Sequence, residues 1–127
     1  MSQFGITQPR NTVTLIRGES KTFQLEVKDP ALVIVDLTNA RVLMSVKKQI
    51  TDKLSVIFKD SINGVSEVDI DEPKAGRAKI FVLPGDTRSM DVGEYVFDVW
   101  VVLPGGKQHP VVTRSTFEIV AGVTVIN

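Results

Sequence analysis

The chain has no cysteine. That absence excludes a disulfide framework and every thiolate metal site. Histidine is nearly absent too: His109 is the one copy. The common nucleophile–base pairs therefore reduce to Ser or Thr with His109 or a lysine. His109 sits beside Pro110, just after Pro104-Gly105-Gly106-Lys107, and reads as a surface loop residue rather than a base or a zinc ligand. No Gly-x-Ser-x-Gly occurs. Pro84-Gly85-Asp86 and Pro104-Gly105-Gly106 are too short for a phosphate cradle and lack the Gly-Lys-Ser/Thr that would open a helix. Net charge is missing as well, with 15 basic and 15 acidic side chains. A nucleic-acid binder driven by counterion release needs a clustered positive face. Arg41, Lys47 and Lys48 are the nearest approach to one and read as a solvated strand end. No apolar run approaches the ~20 residues that span a bilayer. Met1 to Arg10 has no basic start followed by an apolar stretch, so no signal peptide is expected.

What the chain does have is length for one core and a surplus of β-branched residues. Its 127 residues suit one domain spanning 1–127, with an irregular arm at 1–11 and an apolar tail at 121–127. Such a chain buries roughly two thirds of its unfolded surface and needs no staples. Valine and isoleucine fit the half-buried face of a strand. Lys21 to Lys28 alternates, with Phe23, Leu25 and Val27 on one side. The same period of two recurs over Arg41–Lys48, Val65–Ile70 and Arg77–Leu83, while Gly93–Leu103 reads as the longest apolar strand and Val111–Val120 as its returning partner. Short strands are also expected over Thr12–Ile16 and Ser55–Lys59, while Ala31–Val35 reads as either a strand or a packed loop. Turns are marked by Asp29-Pro30, Asn63-Gly64 and Pro104-Gly105-Gly106, and a helical turn suits Pro84–Met90. About seven to nine short strands with regular turn signals predict an all-β sandwich, with a closed barrel as the structural rival.

One local motif sharpens this expectation. Asp91-Val92-Gly93-Glu94-Tyr95-Val96-Phe97 resembles the D-x-G-x-Y-x-C stretch of immunoglobulin-like domains. There the tyrosine hydroxyl bonds back to the upstream backbone and pins the crossover between sheets. The resemblance makes Asp91, Gly93, Tyr95 and Phe97 the fold-defining residues, with Phe97 standing where a disulfide cysteine would be. The antibody-type bridge is thereby excluded, and no tryptophan stands on the third strand.

A longer ordered pattern runs from Arg17 to Ile119. It comprises Arg17-Gly18-Glu19-Ser20-Lys21-Thr22-Phe23, Asp36 to Val42 with Val46-Lys47-Lys48, Pro73 to Ala78, Leu83 to Thr87, and Gly93-Glu94-Tyr95. In order and spacing it resembles small phage virion proteins similar to the N-terminal domain of a phage upper baseplate protein. The resemblance implies a structural, non-enzymatic protein of tail, baseplate or neck. It would be made in the host cytoplasm and assemble with other virion proteins or copies of itself. It implies no catalytic residue and no cofactor. A head-decoration or fibre-attachment domain, a carbohydrate-binding module and a small enzyme are the rivals.

Candidate contact residues follow from strand parity. If Tyr95, Phe97, Val99 and Val101 face inward, Val96, Asp98, Trp100 and Val102 face out. Aromatic anchors are enriched at interfaces, so Trp100, Val96 and Val102 are candidate contacts, with cover by the arm or a loop as the alternative. Val123, Val125 and Ile126 would be poorly placed in water and are candidates for strand addition. Glu67, Asp69, Asp71 and Glu72 offer oxygens to Ca²⁺, but without an Asp-x-Asp-x-Asp-Gly loop they read as an outer face, and no metal site is expected.

Overall fold

The computed structural model describes residues 12–124. Val125 and Ile126, two of the expected contact residues, lie outside the described residues, as does the arm at 1–11. Eight strands are described: β1 (Thr12–Ile16), β2 (Lys21–Glu26), β3 (Arg41–Lys47), β4 (Ile57–Asp60), β5 (Val68–Glu72), β6 (Arg77–Val82), β7 (Gly93–Val102) and β8 (Gln108–Val120). A one-turn helix, α1 (Pro84–Thr87), joins β6 to β7.

The strands form two sheets, ordered β1-β8-β7-β3-β4 and β2-β6-β5. Strands two, five and six thus share one sheet, and three, seven and eight share the other. This is the Greek-key division of an immunoglobulin-like sandwich, with β4 added beside β3. One pair departs from the expected antiparallel arrangement: β1 runs parallel to β8, with Thr12 opposite Thr116 and Ile16 opposite Val120. The two strands are far apart in sequence, so no hairpin dictates their direction.

The tyrosine corner forms. Tyr95 Oη donates to the Asp91 carbonyl at 2.8 Å while its ring is buried. Asp91 contributes its main chain here, so the corner bond does not depend on its carboxylate. Gly93, between them, has φ of +147°, where a Cβ would stand 3.3 Å from Lys48 Nζ. That ammonium lies 4.6 Å from the centre of the Tyr95 ring, a cation–π contact. Phe97 fills the core as expected, edge-on to Phe117 at 5.8 Å, and Phe117 in turn meets Phe23 at 6.4 Å. Around these rings the inner faces are aliphatic: Val42, Met44 and Val46 from β3, Ile80 and Val82 from β6, Leu15 and Ile119 from the paired β1 and β8.

Several boundaries differ from the sequence expectation for identifiable reasons. The strand expected over Val65–Ile70 begins at Val68, because the Glu67 and Val68 N–H groups both bond to Gly64 O and close a turn. Asn63-Gly64 ends a 3-10 turn, Ser61–Asn63, capped by the Asp60 carboxylate, and does not form a two-residue hairpin. The strand expected over Ser55–Lys59 is shifted to Ile57–Asp60. Ala31–Val35 is a loop with a single bridge, Lys28 to Ile34. Val111 and Val112 are both buried although adjacent, because the β7–β8 register shifts on either side of Val99. A bulge of this kind breaks the period of two.

Two of the ion pairs that join elements have a buried member. Asp60, nearly fully buried, receives Arg41 Nε at 2.9 and 3.1 Å and Arg41 Nη2 as well. The Arg41 bonds, chiefly, and the Ile62 N–H hold the Asp60 carboxyl below the usual carboxylate range. Lys59 points inward from β4 and reaches Asp86 at 2.7 Å, with the lysine side chain only 6% exposed. Asp86 Oδ2 also accepts from Leu83 N–H at 2.7 Å, so one carboxylate caps α1 and ties it to β4.

Candidate functional site

The outer face of the five-stranded sheet carries a run of exposed apolar side chains. Register places them. Leu43 lies opposite Trp100, Ser45 opposite both Asp98 and Phe58, and Lys47 opposite Val96. Directly paired residues project to the same side of a sheet, so these form adjoining rows. Trp100 is 37% exposed and Phe58 46%. Together with Leu43, Val96, Val102 and Ile50 they line a shallow groove of about 410 Å³. Trp100 Nε1 donates to Asp98 Oδ2 at 3.0 Å, which fixes the indole on the surface of its own strand.

The groove is bordered by cations. Arg41, Lys47 and Arg114 line it, against the single carboxylate of Asp98. Arg41 is taken up by Asp60, whereas Lys47 and Arg114 belong to no ion pair among the described residues. Arg41, Lys47 and Lys48, expected as a solvated strand end, do not form one basic cluster. Lys47 borders the groove and Lys48 crosses the Tyr95 ring.

Trp100, Val96 and Val102 occupy the outward positions expected of them. Val123 is fully exposed and lies in a bend, so it adds no strand to either sheet. Pairing of that residue on its own domain therefore does not occur, which leaves a neighbour's edge as the place for strand addition: β8 ends at Val120, and the chain then passes the Ile16 side chain, 3.0 Å from where a Cβ on Gly122 would sit. His109 is corrected too. It stands within β8 opposite Val101, not in a loop.

Phe58 and Leu43 are absent from the surface expected from sequence. Leu43 carries a usable signal, since it shares outward parity with Ser45 and Lys47 in an alternating strand. Phe58 carries none, because Val56-Ile57-Phe58 is apolar throughout and gives no parity. The acidic series does not converge. Asp71 pairs with Lys79 at 3.6 Å, Glu72 with Arg77 at 3.5 Å, and Glu67 accepts from Asp60 N–H at 3.1 Å. The described residues contain no group of three or more His, Asp or Glu arranged to hold a metal ion.

No family model matches the chain, and no curated protein matches it. Among solved structures, that of murine CRIg is similar over 94% of this chain and 98% of that one, at 14% identity and a TM-score of 0.45. The protein is an immunoglobulin-like β-sandwich, and that assignment rests on its strand order and tyrosine corner.

Proposed function

We propose that the protein is a non-enzymatic structural component of a phage virion, in the tail, baseplate or neck, and works by protein–protein contact. The observation that carries the reading is the ordered motif series from Arg17 to Ile119, which resembles virion proteins of that kind. The outer sheet face supports the contact mechanism. Phe58 and Trp100 are aromatic, exposed and held on strands, the arrangement from which interface anchors are made. Such a role needs burial of apolar surface and main-chain pairing, with no group required to titrate.

The test is chemical cross-linking of intact particles, followed by peptide mapping. Cross-links from this chain to other structural proteins of the particle are expected. Purified particles that lack the chain would refute the proposal.

A second reading has one observation in its favour. Two exposed rings on the strands that flank β3, with Gln108 and Asp98 lining the same groove, are also what a sheet-face glycan site uses. Binding on a glycan array that disappears in Trp100→Ala would select it.

A further inference from the structure

A second exposed apolar feature lies away from the groove. The β2–β3 connection presents Leu32, Val33 and Ile34 at 66%, 59% and 48% exposure. This tip is built to hold its shape. Asp29 Oδ1 accepts from the N–H groups of Ala31 and Val33, both at 2.9 Å, and the main chains of Asp29 and Val33 also bond. Leu32 takes φ of +64°, a conformation that β-carbon-bearing residues adopt rarely. The base of the loop is clamped as well. Val35 N–H bonds Val27 O, and Gly76, at φ of +69°, packs where a Cβ would meet Val27 O at 2.8 Å and Val35 O at 2.9 Å. Three apolar side chains are thus displayed on a rigid, strained tip that the core does not use.

The tip and the groove are complementary. The tip is a convex apolar tripeptide bracketed in sequence by Asp29 and Asp36, and the neighbouring Lys28 is occupied by Glu26 at 3.0 Å. The groove is a concave apolar floor of Leu43, Phe58 and Trp100 bordered by Lys47 and Arg114. The tip cannot serve its own groove. Its base is bonded to the β5–β6 turn of the three-stranded sheet, Val27 N–H donating to Gly76 O, whereas the groove lies on the outer face of the other sheet.

We infer that the groove receives the Leu32–Ile34 tip of a second copy of this chain, in a head-to-tail contact. This rests on the assembly reading above and specifies its geometry. A contact between two different patches leaves one of each free at the ends of any chain of copies. It therefore propagates until it closes as a ring or continues as a filament. A face-to-face pairing of two grooves would instead set two cation-bordered surfaces against each other.

Two surface variants test it. Val33→Asp spoils the tip and keeps the groove; Trp100→Ser spoils the groove and keeps the tip. Light scattering of the unaltered protein should show mass rising with concentration, while each variant alone should remain a monomer. An equimolar mixture of the two should form a dimer and nothing larger, since it contains one working tip–groove pair. Trp100 is the only tryptophan. Emission from the mixture therefore comes solely from the groove of the Val33→Asp chain, and it should shift to shorter wavelength on mixing. Leu32→Ser with Phe58→Ser provides a second pair, and unchanged melting curves establish that each variant is folded. A mixture that stays monomeric, or a Val33→Asp chain that still self-associates, overturns the inference. So does an unaltered protein that is monomeric at every concentration. None of those results bears on whether the chain is cross-linked to other proteins in the particle, so the two readings fail separately.

Discussion

Replacing Tyr95 by Phe removes one oxygen and leaves the ring, its packing and the Lys48 contact in place. The Tyr95 hydroxyl bonds the Asp91 carbonyl at 2.8 Å across the α1–β7 corner, which joins the two sheets. A net hydrogen bond contributes roughly 0.5–1.5 kcal/mol, and an acceptor left dry costs about 1–3 kcal/mol. Asp91 itself is exposed, so water can reach its carbonyl once the hydroxyl is gone, and the lower range applies. A loss of about 1–1.5 kcal/mol corresponds to a fall of about 4–6 °C in Tm for a domain of this size. Urea unfolding should show a lower midpoint with an unchanged slope, since the surface exposed on unfolding is the same. The pH dependence gives an independent signature. Burial, and then the Asp91 charge, push the Tyr95 hydroxyl above its ordinary range. The folded state therefore holds this proton more tightly than the unfolded chain. The associated stability is fully present below the unfolded value of about 10 and is lost as pH rises through the higher folded value. The stability gap between the unaltered protein and the Tyr95→Phe variant should hold through neutral pH and narrow in alkali. Equal urea midpoints at neutral pH would refute the corner assignment, and a gap that stays constant in alkali would refute its electrostatic part.

Asp60→Asn leaves Arg41 without its partner. Arg41 is 45% exposed and can be hydrated, so the loss should be about 1–3 kcal/mol, below the 3–5 kcal/mol of a fully buried pair. Because the Asp60 carboxyl is lowered in the fold, its contribution is present above the unfolded value near 4 and disappears as pH falls through the folded one. Urea titrations from neutral to acid pH should show the two proteins converging. Gly76→Ala places a methyl within 2.8 Å of one carbonyl oxygen and 2.9 Å of another, at positive φ. It should cost well over the roughly 1 kcal/mol expected where only the backbone angle is unfavourable, as at Gly18, and thermal melts of the two variants side by side check this. Asp86→Ala removes both the α1 cap and the Lys59 partner. About 2 kcal/mol or more should be lost by denaturant unfolding, whereas Lys59→Met, which keeps the cap and removes the buried charge, should lose less.

Local periodicity determined a good deal of this protein. Alternation in Lys21–Lys28, Arg41–Lys48 and Gly93–Leu103 specifies strands and their inward residues, because side chains in a strand alternate whatever lies beyond it. The Asp91–Phe97 motif specifies the corner because all its partners are local. Trp100, Val96 and Val102 are legible as outward for the same reason. Tertiary structure decided what alternation cannot encode. The parallel pairing of β1 with β8 joins residues about a hundred positions apart, and no turn links them to fix the direction. The bulges opposite Val99 invert the parity of β8 and bury Val111 and Val112 together. Phe58 joins Trp100 only because β4 settles beside β3, and Lys47 and Arg114 border one groove only because their strands lie in one sheet. The apolarity of the Leu32–Ile34 tip, taken alone, suggests a strand or a loop packed on the core. It stands in water because the Asp29 bonds fix the turn and the loop base is pinned against Gly76, an arrangement that leaves the three side chains exposed.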